Sequence, residues 1–448
     1  MKAFVLDPPR CTGCEACRVA CSIENRIPME RSWRTVHHAN PEHVAGVAAF
    51  HLSLACNHCA QPACLHACPA SAYSKDPDSG AVLLDDSRCI GCRYCSWACP
   101  YDAPRFEASR GVMGKCTFCV ERLHSGRAPA CAAACPTGAL GTEDLRPNLP
   151  EPAFPGLFQG GLGPSLRIEP GASPIAPAMA WSCSAEARAW MAPASRPAPR
   201  KVNFRSEWTL CLFTLVAMVL VGLHCAWTLG GPRLLPPWLF LALGGVAGGL
   251  SSSHLGRPGR AWRALANLWT SWLSREVLGF GLFLPSAALA QLLGDRSGFA
   301  WIGVAAGLSL LLSMDRLYQV AERRPAWKFN SSDLLPAGLQ LAALAAGAVP
   351  AQALLAAVRA VLFLTGFHRQ AHPCRNPFLA TLRLTALVLP PLLLSSGIPI
   401  PTWASLATFL LGEALDRSCF YDRLDIPTPA GLLDRAGSGF TAASADPA

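Results

Sequence analysis

The residues of this sequence whose types and spacing could do chemistry are its cysteines. Four of them stand in the segment Cys89-Ile-Gly-Cys-Arg-Tyr-Cys-Ser-Trp-Ala-Cys-Pro, at C-x2-C-x2-C-x3-C spacing. This spacing is typical of 4Fe–4S clusters, because three neighbouring thiolates hold one cluster while the fourth ligates another. The segment therefore predicts a partner set of cysteines elsewhere in the chain.

Partner sets are present, since 16 of the 21 cysteines lie between Cys11 and Cys135 and form four groups. The groups, in order, are Cys11, Cys14, Cys17 and Cys21; Cys56, Cys59, Cys64 and Cys68; Cys89, Cys92, Cys95 and Cys99; and Cys116, Cys119, Cys131 and Cys135. Groups one and three share D-x-x-R-C-x-G-C-x-x-C-x-x-A-C, and groups two and four share a C-x-x-C pair followed by Pro-Ala-Cys-x3-Cys-Pro. This repeat predicts two related halves, each supplying ligands for two clusters. Gly13 and Gly91 fit loops whose backbone must approach a sulfide closely.

Zinc sites and a disulfide framework are the alternatives for so many cysteines. Zinc sites favour paired C-x2-C knuckles separated by long gaps rather than three cysteines at successive x2 spacings. A disulfide framework is typical of secreted proteins, and residues 1–9 have no apolar stretch typical of a secretory signal. Iron–sulfur clusters are therefore the favoured interpretation.

The second half of the 448-residue chain is predicted to lie in a membrane. Eight apolar segments between residues 206 and 424 are each long enough to span a bilayer. They cover about 208–229, 234–253, 276–294, 298–315, 334–350, 351–368, 379–397 and 402–420. Residues 147–205, rich in Pro and Gly, are predicted to be a linker, and residues 425–448 a disordered tail.

Eight spans would place both chain ends on one side of the membrane. The loops on that side are rich in basic residues, whereas the opposite loops carry little beyond Arg233 and Arg296. The basic residues are Arg257, Arg260, Arg263, Arg275, Arg316, Arg323, Arg324, Lys328, Arg369, Arg375, Arg417 and Arg423. The positive-inside rule then predicts that the cysteine-rich domain faces the cytoplasm. The alternative is that these arginines dock that domain or a partner subunit.

The membrane half is expected to exchange electrons with a quinone and to bind no haem b. Its candidate haem ligands, His224 and His254, are predicted to lie at different depths, so they could not face each other across a haem. A quinone site needs hydrogen-bonding and proton-accepting groups close to one another. Such groups gather at one predicted depth: His254, Arg257, Arg275, Glu276, Arg383 and Glu413.

Ionisable side chains inside a membrane are costly and are candidates for function. The structural alternative is that His254, Arg257 and Arg275 meet lipid headgroups while Arg383 and Glu413 pair with each other. Arg359, in the middle of the sixth segment, must pair or face a cavity.

Residues 1–146 resemble the four-cluster electron-transfer subunit of the dimethyl sulfoxide reductase family of molybdenum enzymes. The matching motifs are Arg10-Cys-Thr-Gly-Cys, Cys89-Ile-Gly-Cys-Arg-Tyr-Cys, Lys115-Cys-Thr-Phe-Cys and Cys135-Pro-Thr-Gly-Ala-Leu. The resemblance implies four 4Fe–4S clusters in which groups one and four exchange their last ligands, as do groups two and three. The implied sets are Cys11, Cys14, Cys17 with Cys135; Cys116, Cys119, Cys131 with Cys21; Cys56, Cys59, Cys64 with Cys99; and Cys89, Cys92, Cys95 with Cys68.

Residues 206–424 resemble the eight-helix anchor subunit of the same family. The matching motifs are His254-Leu-Gly-Arg-Pro, Ser271-Trp-Leu-Ser-Arg-Glu276, Ser313-Met-Asp-Arg-Leu-Tyr318 and Gly412-Glu413. This resemblance implies that His254 and Glu276 belong to a menaquinol site and that the group-three cluster is the one next to quinol in the relay. The two family halves are usually separate chains, whereas here they are fused.

The expected architecture is an α+β ferredoxin-like domain with four clusters (1–146), followed by an all-α membrane domain of eight helices (206–424). The expected function is electron transfer between membrane menaquinone or ubiquinone and a separate molybdopterin-containing catalytic subunit, in the bacterial inner membrane and without nucleic acid. One alternative is the same relay run toward quinone for a cytoplasmic sulfite-type dehydrogenase. The other is a stand-alone iron–sulfur sensor.

Four 4Fe–4S clusters predict about sixteen iron atoms per chain, together with broad absorption near about 400 nm from thiolate-to-iron charge transfer. Iron analysis and an absorption spectrum of the purified full-length protein check this. About four iron atoms per chain, or no broad absorption, would contradict the prediction.

Overall fold

The computed structural model describes residues 1–39, 50–144, 161–169, 201–294, 296, 298–322, 334–369, 377–395, 401–424, 426, 428 and 429. The chain divides into two compact units, Met1–Arg200 with Ile426–Ala448, and Lys201–Asp425. Most of the predicted linker and tail, and the basic residues Arg323, Arg324, Lys328 and Arg375, lie outside the described residues.

The first unit, called the cysteine unit below, consists of short strands and short helices around the cysteine groups. Its strands are β1 Lys2–Leu6, β2 Thr35–Ala39, β3 Phe50–Leu54, β4 Tyr73–Lys75, β5 Val82–Leu84, β6 Arg105–Glu107, β7 Val112–Gly114, β8 Leu140–Asp144 and β9 Leu166–Ile168. Its helices are α1 Ala16–Asn25, α2 Ala63–Ala67, α3 Tyr94–Ala98, α4 Val120–His124 and α5 Ala130–Ala133. Such short elements leave much of the chain in loops, which is where most of the cysteines lie.

The strands pair as one three-stranded sheet, in the order β8-β1-β9, and three two-stranded antiparallel sheets, β2-β3, β4-β5 and β6-β7. Strand β1 is antiparallel to β8, with Phe4 opposite Thr142, and parallel to β9, with Phe4 opposite Leu166. The sheets pack around an apolar core that includes Phe4, Leu52 and Phe118. Two of the cysteines, Cys17 in α1 and Cys131 in α5, belong to this core, so these two helices pack directly against the sheets.

Strand β9 lies inside the segment that the sequence predicts to be a linker. Leu166 in β9 is buried, and backbone hydrogen bonds tie the segment to the group-two loop, from Ala60 N to the Gly163 carbonyl at 2.7 Å and from Ser165 N to the Asn57 carbonyl at 2.7 Å. A three-residue strand in a Pro/Gly-rich region leaves no periodic pattern long enough to be recognised. The folded part of the cysteine unit therefore extends past residue 146.

The second unit, called the helical unit below, contains eight α-helices within its described residues. They are α6 Phe204–Thr228, α7 Pro237–Ser253, α8 Trp272–Leu293, α9 Gly298–Glu322, α10 Leu334–Ala345, α11 Val349–Arg369, α12 Pro377–Ser395 and α13 Thr402–Arg423. A 3-10 helix, Pro258–Leu265, lies between α7 and α8.

Local sequence explains where two of these helices begin and end. Asn203 and Ser206 form a capping box at the start of α6, in which Ser206 N donates to Asn203 Oδ1 at 2.9 Å. Ser271 caps α8 by accepting from Ser274 N at 3.4 Å, and Gly294 ends α8 in the left-handed conformation at φ 68°. These caps satisfy backbone groups that a helix end would otherwise leave without partners.

Three of the described helices are long and apolar enough to cross a membrane: Phe204–Thr228, Trp272–Leu293 and Gly298–Gln319. The segments Pro237–Ser253 and Pro258–Leu265, bent by 100° from each other, make a fourth span if they count as one. The chain breaks between the fifth and sixth predicted segments at Gly347, whose φ is 72°, earlier than the predicted boundary between residues 350 and 351, since α11 already begins at Val349. The number of eight spans stays a prediction.

Small residues bring the helices of this unit close together. A Cβ atom on Gly279 in α8 would lie 3.1 Å from Leu310 Cα in α9, and one on Gly222 in α6 would lie 2.9 Å from the Gly338 carbonyl of α10. Close backbone approach at glycine is typical of helix packing in membranes. These helices surround an apolar core that contains Met218, Phe283 and Leu310.

Arg359, for which the sequence indicates no partner, is buried and ion-paired. Its Nη2 lies 2.6 Å from Glu413 Oε1 in α13, and its Nη1 donates to Gln340 Oε1 in α10 at 2.8 Å. The side chains of Arg359 and Glu413 are only 2% and 5% exposed, so each needs the other to balance its charge. Three helices, α10, α11 and α13, are joined by these contacts.

Removing one partner of this pair is expected to destabilise the helical unit by about 3–5 kcal/mol, because the other charge remains buried and uncompensated. We therefore expect Arg359→Met and Glu413→Leu each to unfold readily in a denaturant titration in detergent, and the double variant to recover most of the loss. Lys2→Met, which breaks the exposed pair with Asp144, is the control and should cost at most about 1 kcal/mol. If the double variant lost as much stability as the two single variants together, the pairing of Arg359 with Glu413 would be contradicted.

Candidate iron–sulfur and quinone sites

The thiols of the four cysteine groups come together in four sets that cross the group boundaries. In set A, the Cys11 thiol interacts electrostatically with the thiols of Cys14, Cys17 and Cys135. Cys135 belongs to group four and the other three to group one. Set A therefore joins the first and last groups of the sequence.

Set B contains the remaining cysteines of groups one and four. The Cys119 thiol interacts with those of Cys131 and Cys21, and the Cys116 thiol with the same two. Cys21 thus leaves group one to join three cysteines of group four.

Groups two and three exchange their last cysteines in the same way. In set C, the Cys64 thiol interacts with those of Cys99, Cys56 and Cys59. Set D consists of Cys68, Cys89, Cys92 and Cys95, in which Cys92 interacts with Cys68 and Cys89, and Cys95 with Cys92 and Cys68. These memberships equal the ligand sets that the resemblance implies, and the role of the thiols as iron ligands stays a prediction.

The four sets follow one another in a row, in the order A, B, C, D. Sets B and C adjoin where Cys116 interacts with Cys56, and sets C and D adjoin where Cys95 interacts with Cys64. Sets A and B share the Arg34 guanidinium, which interacts with Cys17 of A and with Cys131 of B. A row of closely spaced redox centres is the arrangement that electron transfer needs.

The buried thiols of sets C and D do not readily form thiolates unless a cation joins them. Burial raises the pKa of the Cys64 thiol well above its usual value, and the neighbouring Cys99 and Cys56 thiols raise it further. Burial likewise raises the pKa of Cys92. Bound iron would supply the positive charge that deprotonates such thiols. Four convergent sulfur donors in a largely buried site fit a 4Fe–4S cluster well.

The first C-x-x-C loop of each group places the residue before its second cysteine in the left-handed conformation. The φ angles are 69° at Gly13, 42° at His58, 71° at Gly91 and 61° at Phe118. Only the glycines are evident from sequence, because histidine and phenylalanine seldom adopt this conformation. The His58 and Phe118 rings stack on each other, with centroids 4.8 Å apart. Stacking holds the two strained loops of groups two and four together.

The loop conformation points backbone N–H groups at cysteine sulfurs. Gly91 N lies 3.4 Å from Cys89 Sγ, Phe118 N 3.3 Å from Cys116 Sγ and Ala72 N 3.4 Å from Cys68 Sγ. Hydrogen bonds to sulfur stabilise negative charge on a cluster and raise its reduction potential. The buried Lys115 ammonium adds positive charge next to Cys64 and Cys116.

Among the predicted quinone residues, His254 and Glu276 lie on neighbouring helices. His254 caps the end of α7 and is half-buried, and Glu276, in the second turn of α8, is buried. Helices α7 and α8 pack against each other and both contact the intervening 3-10 helix. The two residues therefore occupy the same end of the helical unit.

Arg275 and Arg257 are placed differently. Arg275 Nε donates to the Leu268 carbonyl at 3.0 Å, its Nη2 donates to the Trp269 carbonyl at 2.7 Å, and its guanidinium lies 4.2 Å from the Trp272 ring centroid. Arg275 thus holds the turn before α8. Arg257 is exposed at the start of the 3-10 helix.

Glu276 belongs to a buried polar cluster that sequence reasoning did not assemble. It interacts electrostatically with Tyr318 in α9, whose hydroxyl lies 2.5 Å from the Tyr421 hydroxyl in α13. Arg417 in α13 interacts with both tyrosines. For Tyr318 a sequence signal was available, because this residue ends one of the motifs that carry the family resemblance. Tyr421 and Arg417 have no local pattern that separates them from interfacial residues.

The two remaining candidates, Arg383 and Glu413, are both ion-paired, but not with each other. Arg383 Nη2 lies 2.7 Å from Asp416 Oδ2, and Glu413 is the partner of Arg359. The pairing proposed from sequence as the structural alternative is therefore wrong in its partners, because the residue one turn beyond Glu413 on α13 is a second acid. His224, weighed above as a haem ligand, lies with its Nε2 3.0 Å from the Ala300 carbonyl.

The cysteine unit is a ferredoxin-type iron–sulfur domain by its fold and its cysteine sets. Residues 47–145 match the family model described as 4Fe-4S dicluster domain. An anaerobic dimethyl sulfoxide reductase component from Haemophilus influenzae is 41% identical over 150 residues, which cover 31% of this chain and 71% of the relative. Over its N-terminal third, the protein is a member of the family of these iron–sulfur subunits.

Other relatives serve different reactions. A thiosulfate reductase electron transfer subunit from Salmonella typhi is 40% identical over 137 residues, covering 30% of this chain and 71% of the relative. A sulfite dehydrogenase subunit from Allochromatium vinosum is 37% identical over 159 residues, covering 31% of this chain and 66% of the relative. These similarities support an electron-transfer role in an oxidoreductase complex and imply a catalytic partner subunit.

The cluster loops lead to a test at Gly13. A Cβ there would lie 3.0 Å from the His51 ring and would also meet the left-handed φ of 69°, so Gly13→Ala combines crowding with a backbone cost of about 1–2 kcal/mol. Gly126 has a φ of 71° in open space, so Gly126→Ala carries the backbone cost alone. We expect Gly13→Ala to lose iron at lower temperature than Gly126→Ala, as followed by absorption during heating. Equal losses would show that the Gly13 loop is no more constrained than a surface turn.

Proposed function

We propose that this protein carries electrons between the membrane quinone pool and a separate molybdopterin-containing catalytic subunit, through four 4Fe–4S clusters held by sets A to D. The observation that carries the proposal is the row of four thiol sets. The chain's similarity to subunits of reductases and of a dehydrogenase supports it. Each bound cluster would accept and release one electron without making or breaking bonds to substrate. The catalytic chemistry then belongs to the partner subunit.

The residues around each set prepare it for rapid electron exchange. Burial of the thiols and of Phe118, which is 0% exposed, excludes water from the group-four loop. Backbone N–H groups and the Lys115 ammonium supply fixed positive charge, so little reorganisation accompanies a change of charge at the site. The short loops and stacked rings hold the thiols in position.

The quinone end of the relay is proposed to lie at the Glu276 cluster. Oxidation of a quinol releases two electrons and two protons, so the site needs a proton acceptor and hydrogen-bond partners for the ring oxygens. Glu276 is the proposed proton acceptor. The hydroxyl pair of Tyr318 and Tyr421 is proposed to pass the proton on, and His254, at the same end of the unit, to bind a ring oxygen. Buried ionisable groups in an apolar helix bundle favour a functional site.

The other predicted quinone residues are given supporting roles. The Glu413 carboxylate is occupied by Arg359, and the Arg275 guanidinium by the carbonyls of Leu268 and Trp269. We assign Glu413 to joining helices and Arg275 to holding the turn before Glu276. Arg257, which is exposed, is assigned to the membrane surface.

The helical unit is proposed to anchor the complex as eight membrane spans, with the cysteine unit on the cytoplasmic face of the bacterial inner membrane. Three apolar helices support membrane association. Helix α13, with 22 residues, is long enough but is not apolar enough to be one of the three, and its charged residues Glu413 and Asp416 are paired within the unit. Internal pairing is how charged residues are tolerated in a membrane span.

Run in the opposite direction, the same relay would deliver electrons from a substrate oxidised by the partner subunit to quinone. The similarity to a sulfite dehydrogenase component favours this as the second candidate. The two directions use the same residues and clusters. The two directions are distinguished by purifying the protein with its partner subunit and assaying the complex for reduction of S- or N-oxides and for oxidation of sulfite.

Substitution of the proposed proton acceptor should stop quinol from reducing the clusters. We expect Glu276→Gln to slow reduction by a menaquinol analogue about 10²-fold, and Tyr318→Phe to slow it less, because general acid–base groups contribute about 10²–10⁴-fold. The measurement is bleaching of cluster absorption in full-length protein in lipid vesicles, with dithionite reduction as the measure of total clusters.

Ser286→Ala is the matched control, because Ser286 is also buried in α8 and bonds only to carbonyls of its own helix. It should leave the quinol-dependent rate unchanged. A Glu276→Gln protein that retains the wild-type rate and full cluster content would refute the proposed site.

A further inference from the structure

Arg34 is a fully buried cation between the first two cysteine sets. Its side chain is 1% exposed at the start of β2. Its Nη1 donates to the Ser53 carbonyl at 2.9 Å and to Ser53 Oγ at 3.1 Å, and its guanidinium lies 4.4 Å from the Phe4 ring centroid. These contacts hold the plane of the guanidinium in one orientation.

The other guanidinium nitrogens have no such partner. Among the described residues, Arg34 Nε and Nη2 are buried and make no hydrogen bond. A buried donor on a charged group is costly when it is unsatisfied, and native structures seldom leave two on one side chain. The arrangement indicates an acceptor that is not among the described residues.

The cavity beside Arg34 identifies that acceptor by its lining. It is lined by Arg34 and by all four thiol-bearing residues of set B, Cys21, Cys116, Cys119 and Cys131. The thiols that interact electrostatically with the Arg34 guanidinium are, in decreasing order of strength, those of Cys131, Cys116, Cys17 and Cys21. Three of the four belong to set B.

We infer that Arg34 donates hydrogen bonds from Nε and Nη2 to the cluster held by set B and raises its reduction potential above that of the same site without the guanidinium. The inference rests on the proposed function, in that set B must hold a cluster. Accepting one electron makes a cluster more negative, and a nearby cation that never deprotonates stabilises the reduced form. An electron is therefore held more strongly at the cluster of set B, the second in the row, than it would be without Arg34.

Lys115 shows why this role belongs to Arg34. The Lys115 ammonium donates to the Val82 carbonyl and, at 2.7 Å, to the Cys116 carbonyl. It interacts with Cys64 of set C as well as Cys116 of set B. The charges of Lys115 and Arg34 therefore each act on two sets, but the Lys115 ammonium donates to backbone carbonyls, whereas two donors of Arg34, which lines the set B cavity, are unsatisfied among the described residues.

The test is a redox titration of the full-length protein in detergent, followed by electron paramagnetic resonance, which resolves clusters without an activity assay. In Arg34→Gln we expect the reduction equilibrium of one cluster to shift at least tenfold toward the oxidised form, which is 59 mV for a one-electron couple. The other three should move less. Arg34→Lys, which keeps the charge but loses the planar fork, should give a smaller shift of the same signal.

Arg105→Gln is the matched control, since Arg105 donates to the Ser32 carbonyl at 3.0 Å and to Thr35 Oγ1 at 2.8 Å, on either side of Arg34. It disturbs the same segment and should shift no potential tenfold. Iron content is measured on every variant.

Four unshifted potentials in an Arg34→Gln protein with full iron would overturn the inference. If Arg34→Gln loses iron, Arg34→Lys decides: full iron with one lowered potential supports the inference, and full iron with no shift, or iron loss in this variant as well, overturns it. Wild-type protein without four clusters would instead refute the proposed function.

Discussion

The structure of the cysteine unit depends on how negative charge is balanced in a dry interior. Sixteen thiols, most of them buried, are brought within electrostatic reach of one another, and thiolates cannot be packed so closely without cations and hydrogen-bond donors. The unit supplies donors from left-handed loops and charge from Arg34 and Lys115, and iron in each thiol set is proposed to supply the rest. Each set also joins cysteines from two groups, so it brings together thiols from distant parts of the chain.

The helical unit solves a related problem with ion pairs. Arg359, Arg383, Glu413 and Asp416 are paired across helices α11, α12 and α13, so no described member of these pairs leaves a bare charge in an apolar bundle. Glu276 is different in kind, since among the described residues it interacts with Tyr318 rather than with a fixed counter-ion in contact. A group held this way can change protonation state at lower cost than one locked in a salt bridge.

Sequence reasoning predicted much of this because the cysteine spacing is a strong constraint. The cysteine motifs and their repeat indicated the four groups. The family resemblance, rather than the spacing, indicated which groups exchange their last cysteines. What it missed depends on tertiary contacts. The left-handed conformation of His58 and Phe118 becomes understandable only when their rings are seen to stack. Strand β9 is too short to show periodicity. Arg359 pairs with a residue 54 positions away in the sequence. Arg34 has no sequence signal at all, because its meaning comes from the thiols around it.

The central claim is that electrons enter a row of clusters at one end. The most direct measurement is reduction by a menaquinol analogue of a Cys92→Ser protein in lipid vesicles, with resonance signals recorded for each cluster. Cys92 belongs to set D, at one end of the row, and the resemblance makes its cluster the first acceptor from quinol. The account predicts that dithionite still reduces the clusters of sets A, B and C, while quinol reduces none of them. Quinol reduction of those three at the wild-type rate would contradict it.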